Sequence, residues 1–279
     1  MRFTSHPLSP ACEFSQARLR SLLGTTTPSG AMLSSPDHAG SPEVHHETRD
    51  PALRSRLGAR DAGRHSGRLV NRADRNGYPS RMTAEDIPQP RHYLVIDFEA
   101  TCCDRGSVPV PEMEIIEIGA VMDEAATFRV IDEFVSFVRP IRHPTLTAFC
   151  TELTTITQSD VDAAPGFVDV AARFKTWLAP YDEFVFCSWG DYDRKQLDQD
   201  CAFHQIPNPI EQPHINAKRE FARRQGLKKR PGLGGAIAEA GLVFEGTQHR
   251  GIDDARNIAR LLPYAFGNAR VASQVGAAS

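Results

Sequence analysis

The chain has 279 residues and a net charge of −3, so it can hold one large domain or two small ones and shows no overall sign of nucleic-acid binding. Its six cysteines form no C-x-x-C pair, which argues against a zinc site or a disulfide framework and predicts reduced thiols in a cytoplasmic protein. No run of about 18 apolar residues and no apolar signal segment are present, so we expect neither a membrane span nor secretion.

The charge is divided unevenly along the chain. Residues 1–81 carry 12 Arg and no Lys against 7 acidic residues, whereas the remainder carries 20 basic and 28 acidic residues. Only five of the 48 residues from 34 to 81 are Ile, Leu, Val, Phe or Met, which is too little apolar surface to offset the entropy of ordering. We therefore predict that residues 1–88 form a disordered extension.

Three explanations of this extension stay open. The first is a basic tail with affinity for phosphates, and the second is an organelle transit peptide in the first 35 residues. The third is that the natural protein starts at Met82 and the sequence before it is not translated. We favour the start at Met82, because this residue stands just before the first sequence with a regular pattern.

From about Pro90 the sequence has an α/β pattern. Three apolar segments at short spacing predict an antiparallel meander, and the helices and strands that follow indicate one domain with a mixed sheet. We assign the domain to residues 89–268 and a flexible tail to residues 269–279. Strands are expected in "HYLVIDFEA" (92–100), "EIIEIGAVMD" (114–123), "FRVIDEFVSFVRP" (128–140), "EFVFCSW" (183–189) and near "HINA" (214–217). Helices are expected as two short ones within 142–164, and then in 167–180, 191–204 and 253–266.

Two acidic residues end the most apolar strand. Asp97 and Glu99 are two residues apart and therefore point to the same face, while Phe98 turns into the opposite layer. Neighbouring carboxylates repel each other unless a cation or a proton lies between them. Taken alone, the pair also fits a strand that simply emerges into solvent.

Further acidic residues stand at equivalent places. Asp191 and Asp193 follow the strand at 183–189, and His249 precedes Asp254 by five residues at the start of the last helix. Ligands of α/β sheets gather at the carboxyl ends of the strands, so we expect these clusters to meet. Asp253 has an alternative role in the first turn of that helix, where a carboxylate complements the helix dipole.

This set of oxygen ligands indicates a particular chemistry. Carboxylates without Cys or paired His suit Mg²⁺ or Mn²⁺ better than zinc. Two such ions about 3.5–4 Å apart can stabilise the attacking and the leaving oxygen of a phosphoryl transfer. The sequence therefore predicts a two-metal phosphodiesterase.

Three segments carry a resemblance to a known family. "DFEATC", "SWGDYDRKQL" and "HRGIDDARNIA" resemble the three sequence blocks of the DEDDh 3′→5′ exonucleases, which have an RNase H-like fold. "FVRPIRHPTLTAFCTELTTITQSDVD" is similar to the Eri-type and KapD-like subgroup, and the resemblance covers residues 93–262. It implies an RNase H-like, mixed five-stranded sheet flanked by helices.

The resemblance also implies the metal ligands. Asp97, Glu99, Asp193 and Asp254 are expected to hold two Mg²⁺ ions, for which Mn²⁺ substitutes. Asp97 is expected to contact both ions, and Glu99 to approach the terminal 3′-hydroxyl. In the second block we prefer Asp193 to Asp191, because the family's acid lies four residues before a Leu, here Leu197.

Other residues take roles from the same resemblance. His249 is the expected general base that deprotonates the attacking water. Phe149 and Tyr192 occupy the places of the aromatic residues that stack on the terminal base, although ordinary core packing is an equal alternative for Phe149. "FARRQGLKKRPG" is a possible phosphate-contacting patch, or simply a basic helix end.

We therefore expect a metal-dependent 3′→5′ exonuclease that releases nucleoside monophosphates from single-stranded 3′ ends. The expected preference for RNA rests on the subgroup resemblance alone. The alternatives are a DNA 3′→5′ exonuclease of the proofreading or repair type and a regulatory binding protein that uses the same fold without turnover.

Overall fold

The computed structural model describes residues 89–271, and the predictions for residues 1–88 and 272–279 lie outside this range. The described chain forms a mixed sheet with helices on both faces. The strands are β1 (His92–Ala100), β2 (Ile115–Glu124), β3 (Arg129–Phe137), β4 (Phe184–Ser188) and β5 (His214–Asn216). The α-helices are α1 (Ala148–Thr154), α2 (Gln158–Asp162), α3 (Phe167–Leu178), α4 (Tyr192–Phe203), α5 (Ala217–Arg224), α6 (Leu233–Glu239) and α7 (Gly251–Ala265), with one 3₁₀ turn at Val110–Glu112.

The sheet has five strands in the order β3-β2-β1-β4-β5. β1, β2 and β3 pair antiparallel, which confirms the predicted meander, while β4 runs parallel to β1 and β5 runs parallel to β4. The predicted mixed five-stranded sheet is therefore confirmed. β1 lies at its centre with a neighbour on each side, so its carboxyl end is surrounded by protein.

Alternate residues of the strands pack into two separate layers. On β1, Tyr93 and Val95 join an apolar cluster with residues of α5, α6 and α7, whereas Leu94 and Ile96 join a cluster with residues of α3 and α4. The period of two along a strand produces this division. Asp97 and Glu99 continue the row of Tyr93 and Val95, so they point to the sheet face that α5, α6 and α7 cover, which we call the α7 face.

Local hydrogen bonds explain why 142–164 forms two short helices instead of one. Thr147 caps α1, with its hydroxyl accepting from the Cys150 N–H. Thr155 has φ +60° and ends this helix, since left-handed backbone cannot continue it. Thr157 and Asp160 then form a capping box that starts α2.

The last helix differs in one respect from its prediction. α7 begins at Gly251, two residues before the predicted start at 253. Beyond α7, Val271 is fully buried and its N–H donates to Gln225 at 3.0 Å, so the first residues of the segment assigned to a flexible tail pack against the domain. Within 89–271, no helix is both long enough and apolar enough to cross a membrane.

One buried carboxylate on the α7 face lies outside the acidic clusters. Asp123 of β2 is fully buried, and neither of its carboxylate oxygens has a hydrogen-bond partner. Burial raises the pKa of Asp123 from 3.8 to about 7, because the charged form is poorly solvated there. The folded chain therefore holds a proton at Asp123 in a pH range where the unfolded chain has lost it.

This difference predicts a pH-dependent effect of Asp123→Asn on stability. Below pH 3.8 the carboxyl is protonated in both states. Between about pH 4 and 7 only the unfolded state ionises, so the wild type loses stability as the pH rises, by on the order of 2–4 kcal/mol in total. Above the pKa of Asp123 in the folded state, Asp123 is ionised in both states, and the loss of unfolding free energy stays constant.

Urea unfolding of wild type and Asp123→Asn from pH 4 to 8 measures this effect. The free energy of unfolding of Asp123→Asn should increase relative to that of the wild type as the pH rises from 4 to about 7, and the difference should then stay constant. Glu239→Gln, at an exposed position of α6, is the control for loss of one carboxylate. A difference between wild type and Asp123→Asn that is the same at every pH would contradict a protonated Asp123.

Candidate active site

The carboxyl end of β1 supplies the first two acidic residues of the site. Asp97 and Glu99 are each only 7% exposed, although they stand on the strand end that the sequence also allowed to emerge into solvent. Phe98, between them, packs into the opposite apolar layer with residues of α3 and α4. Their burial removes the solvent-exposed alternative, because two carboxylates on one buried strand face need compensation.

The loop before α7 and its first turn bring the third cluster to β1. Ligand atoms of Glu99, His249 and Asp254 all lie within 4.8 Å of one another. The backbone N–H of His249 donates to the Asp254 carboxylate at 3.2 Å, so these two side chains are held as a unit. His249 has φ +61°, a left-handed conformation that is uncommon for a residue other than glycine.

Two glycines allow α7 to approach the sheet so closely. A Cβ atom on Gly119 of β2 would lie 2.0 Å from the carbonyl carbon of Gly251. A Cβ atom on Gly251 would lie 2.8 Å from the carbonyl oxygen of Asp97. Real side chains do not tolerate such distances, so the first turn of α7 contacts β1 and β2 backbone to backbone.

The turn between β4 and α4 supplies the fourth acidic residue. Asp193 is 5% exposed, and its carboxylate accepts a hydrogen bond at 3.1 Å from the N–H of Phe98, the residue between Asp97 and Glu99. Asp191, the alternative in this block, is the exposed residue before the helix. The geometry therefore favours Asp193 as the residue that faces the site.

This arrangement fits a divalent cation. Asp193 contacts the backbone of β1, and the ligand atoms of the other cluster come within 4.8 Å of one another in a buried space. Several carboxylates cannot all be ionised at such distances without a cation between them. Carboxylate oxygens with one imidazole nitrogen are suitable ligands for Mg²⁺ or Mn²⁺.

Of the two predicted aromatic residues, Tyr192 lies next to Asp193 in the chain and Phe149 lies in α1. Tyr192 is 37% exposed. Phe149, in α1, is 9% exposed and, among the described residues, belongs to none of the four apolar clusters. The Thr147 hydroxyl at the start of α1 donates to the Cys102 carbonyl at 2.6 Å, which holds this helix against the chain that leaves β1.

A sequence comparison identifies the protein family. Residues 94–262 match the model of the RNase_T family, whose members are described as exonucleases. The chain belongs to this exonuclease family. Its members of the DEDDh type depend on divalent metal ions, in agreement with the cluster of buried carboxylates.

Individual relatives agree with this assignment. The chain is 35% identical over 184 residues to ERI1 exoribonuclease 3 of Homo sapiens, across 63% of this chain and 54% of the relative. It is 32% identical over 200 residues to the 3′-5′ exonuclease eri1 of Schizosaccharomyces pombe, across 62% of this chain and 67% of the relative. The chain thus spans about half the length of its human relative.

A solved structure shows the same fold. The nuclease domain of 3′hExo, a DEDDh family member bound to rAMP, has a TM-score of 0.59 at 29% identity and covers 65% of this chain and 96% of its own. The predicted resemblance to the DEDDh exonucleases of the Eri type and the predicted RNase H-like fold are confirmed.

The basic segment "FARRQGLKKRPG" of this chain divides into two parts. Arg224 donates to carbonyls just beyond the end of α7 and therefore has a structural role. Residues 228–230 are exposed Lys and Arg. The next residue, Pro231, accepts from the Trp189 indole N–H at 3.2 Å, which places this exposed part near the turn that carries Asp193.

Sequence reasoning missed an ion pair behind the site. Arg250 donates to the buried carboxylate of Glu117 through Nε and Nη2, each at 3.1 Å. The only sequence signal was an acidic residue in the middle of the apolar run "EIIEIGAV". Asp253, for which the sequence suggested a role at the helix dipole, accepts from the Thr247 N–H at 2.9 Å and pairs with Arg256 at 3.2 Å, so it stabilises the loop before the helix.

The geometry predicts different metal affinities for two neighbouring variants. Asp193→Asn removes a charge that faces the site, so we expect Mn²⁺ binding without substrate to weaken by at least about tenfold. Asp191→Asn changes an exposed side chain and should leave this affinity unchanged. Electron paramagnetic resonance of free Mn²⁺ measures both affinities, and a loss confined to Asp191→Asn would contradict the assignment.

Proposed function

We propose that this chain is a metal-dependent 3′→5′ exonuclease that releases nucleoside monophosphates from the 3′ ends of RNA. The observation that carries the proposal is the buried contact of Glu99, His249 and Asp254, with ligand atoms within 4.8 Å of one another. A general base and carboxylate ligands within one small space are what hydrolysis of a phosphodiester requires. The proposed domain boundaries are residues 89–268, of which the family match covers 94–262.

We assign two Mg²⁺ ions to Asp97, Glu99, Asp193 and Asp254. Ions of this kind stabilise the charge that develops on the attacking and the leaving oxygen. The rigid placement of the ligands supports the assignment, because two come from a central strand and the others from the first turns of α4 and α7. Mn²⁺, which accepts the same oxygen ligands, should substitute.

His249 is proposed as the general base that takes the proton of the attacking water. An imidazole with an ordinary pKa of about 6.5 suits this step at neutral pH. The ring nitrogen of His249 within 4.8 Å of the carboxylates of Glu99 and Asp254 supports the role, and the bond from the His249 backbone N–H to Asp254 holds the main chain of His249 in place. Glu99, in the same cluster, is proposed to approach the terminal 3′-hydroxyl.

The proposal of RNA as substrate rests on the relatives. Two of them are named as an exoribonuclease and a 3′-5′ exonuclease, and the 3′hExo nuclease domain was solved with rAMP, a ribonucleotide. We propose single-stranded 3′ ends as the substrate. A reducing compartment such as the cytoplasm is supported by the five free cysteines of the described residues.

Matched RNA and DNA oligonucleotides test the proposed reaction. With Mg²⁺, 5′-labelled RNA should give a ladder that shortens from the 3′ end, and 3′-labelled RNA should release a labelled mononucleotide from the start. We expect RNA to be degraded faster than DNA. Asp97→Ala should lower the rate by more than about 100-fold, because it removes a metal ligand.

Each other outcome of this digestion has a clear meaning. Faster degradation of DNA would favour the DNA exonuclease. Binding of RNA without any degradation in Mg²⁺ or Mn²⁺ would favour a regulatory binding protein. A ladder that persists in Asp97→Ala would indicate a contaminating nuclease.

Phe149 is proposed to stack on the terminal base, and its substitution by Leu separates stacking from core packing. Leu keeps an apolar side chain at the buried position but has no π face. Stacking contributes about 1–3 kcal/mol per base, so KM for RNA should rise by about 5–150-fold while the protein stays folded. Phe203→Leu, in the last turn of α4, is the control aromatic residue, and an unchanged KM in Phe149→Leu would assign Phe149 to the core.

A further inference from the structure

We propose that Glu117 and Arg250 are positioning residues that hold His249 and Asp254 at the metal ligands of β1. We call this pair the clamp. The proposal rests on the proposed nuclease function, because it assigns to the clamp an effect on that same site. The clamp itself touches neither the substrate nor the reacting atoms in this assignment.

The Glu117 carboxylate accepts three hydrogen bonds from the segment that carries His249 and Asp254. Its carboxylate accepts from Nε and Nη2 of Arg250, each at 3.1 Å, and from the backbone N–H of Gly251 at 2.9 Å. The side chain of Glu117 is fully buried, and that of Arg250 is 27% exposed. A bidentate pair fixes the angle as well as the distance between its partners.

The clamped residues lie between the two proposed functional side chains. Arg250 directly follows His249, and its carbonyl accepts the first helical bond of α7 from the Asp254 N–H at 2.9 Å. The Asp254 carboxylate in turn accepts from the His249 N–H at 3.2 Å. A displacement of Arg250 or Gly251 must therefore move His249 and Asp254 together.

The conformation of His249 makes an external constraint necessary. A residue other than glycine at φ +61° is held in a sparsely populated region, which persists only where the surrounding structure determines it. The side chain of Arg250 has no cap bond to the helix that it precedes. Glu117 supplies this constraint instead, from a strand that is itself packed between β1 and β3.

Glu117 lies directly opposite a proposed metal ligand in the sheet. Glu117 pairs with Glu99 across β1 and β2, and Gly119 pairs with Asp97. Both acidic residues of β1 therefore face residues of β2 that contact the start of α7. The clamp thus sets the distance between the β1 ligands and the α7 ligand at the point where they meet.

A second ion pair between the sheet and α7 provides a matched control. Arg256 pairs with Glu133 of β3, with Nε at 2.9 Å from Oε1 and Nη2 also bonded to the carboxylate. This pair is partly exposed and lies further along α7, with no site residue beside it in sequence. It has the same chemistry as the clamp. Arg256 also pairs with Asp253, which binds the loop before α7, so the control substitutions are made at Glu133 and leave Arg256 in place.

The experiment compares Glu117→Gln and Arg250→Lys with the control variants Glu133→Gln and Glu133→Ala, which leave Arg256 and its contact with Asp253 in place. We expect the clamp variants to lower kcat by about 10–100-fold while KM for single-stranded RNA changes by less than about threefold, since the ligands move and the base platform does not. Mn²⁺ binding without RNA should weaken by at least about threefold in the same variants. The control variants should match the wild type in all three quantities.

Thermal unfolding separates positioning from general stability. All assays are made at a temperature at which each variant is folded, and if Glu117→Gln does not fold, Arg250→Lys decides, because it keeps the charge and loses the bidentate geometry. Folded clamp variants with wild-type kcat and wild-type Mn²⁺ affinity would overturn the proposal, whatever their melting temperature. If the wild type itself does not degrade RNA, the proposed function is wrong. The Mn²⁺ affinities of the clamp variants then still test whether the clamp positions the metal ligands.

Discussion

The first turn of α7 lies directly on the backbone of β1 and β2, and the candidate site depends on that contact. Gly119 and Gly251 face each other where no Cβ atom fits, and Gly251 also contacts the carbonyl of Asp97. Any side chain at either position would push the helix outward by at least the thickness of a methyl group. His249 and Asp254 would then leave Glu99, because ligand distances around a metal ion tolerate only a few tenths of an ångström.

Buried carboxylates of this domain are compensated in three different ways. Glu114 accepts three backbone N–H bonds from residues 141–143, at 2.7–2.9 Å, and so holds the chain after β3. Glu117 is compensated by Arg250, and Asp123 by its proton. The acidic residues at the end of β1 instead face further acidic residues from α4 and α7. In this last arrangement two carboxylates and one imidazole share a small buried space, which is the feature that a cation site requires.

The central strands β1 and β2 were predicted well because they are long, nine and ten residues, and carry a row of apolar side chains such as Leu94, Ile96 and Phe98. We preferred Asp193 to Asp191 from the family resemblance. Asp193 lies one helical turn before Leu197 and is buried, whereas Asp191 is exposed. The start of α7 was placed two residues late because "RGID" has the composition of a turn. There the acceptor for the Gly251 N–H is Glu117, 134 residues away, and no local pattern contains such a partner. The clamp was missed for the same reason.

α7 also connects the site to the stability of the whole domain. Its buried residues, among them Ile258, Leu261 and Leu262, belong to the same apolar cluster as Tyr93 and Val95 of β1. To separate Asp254 from Glu99, the protein must therefore displace the first turn of a helix that forms a large part of one core layer. The cost of such an opening approaches that of global unfolding, whereas a loop-borne ligand could move at little cost. A ligand set held in this way is preorganised before substrate binds, so little reorganisation remains to be made during the reaction.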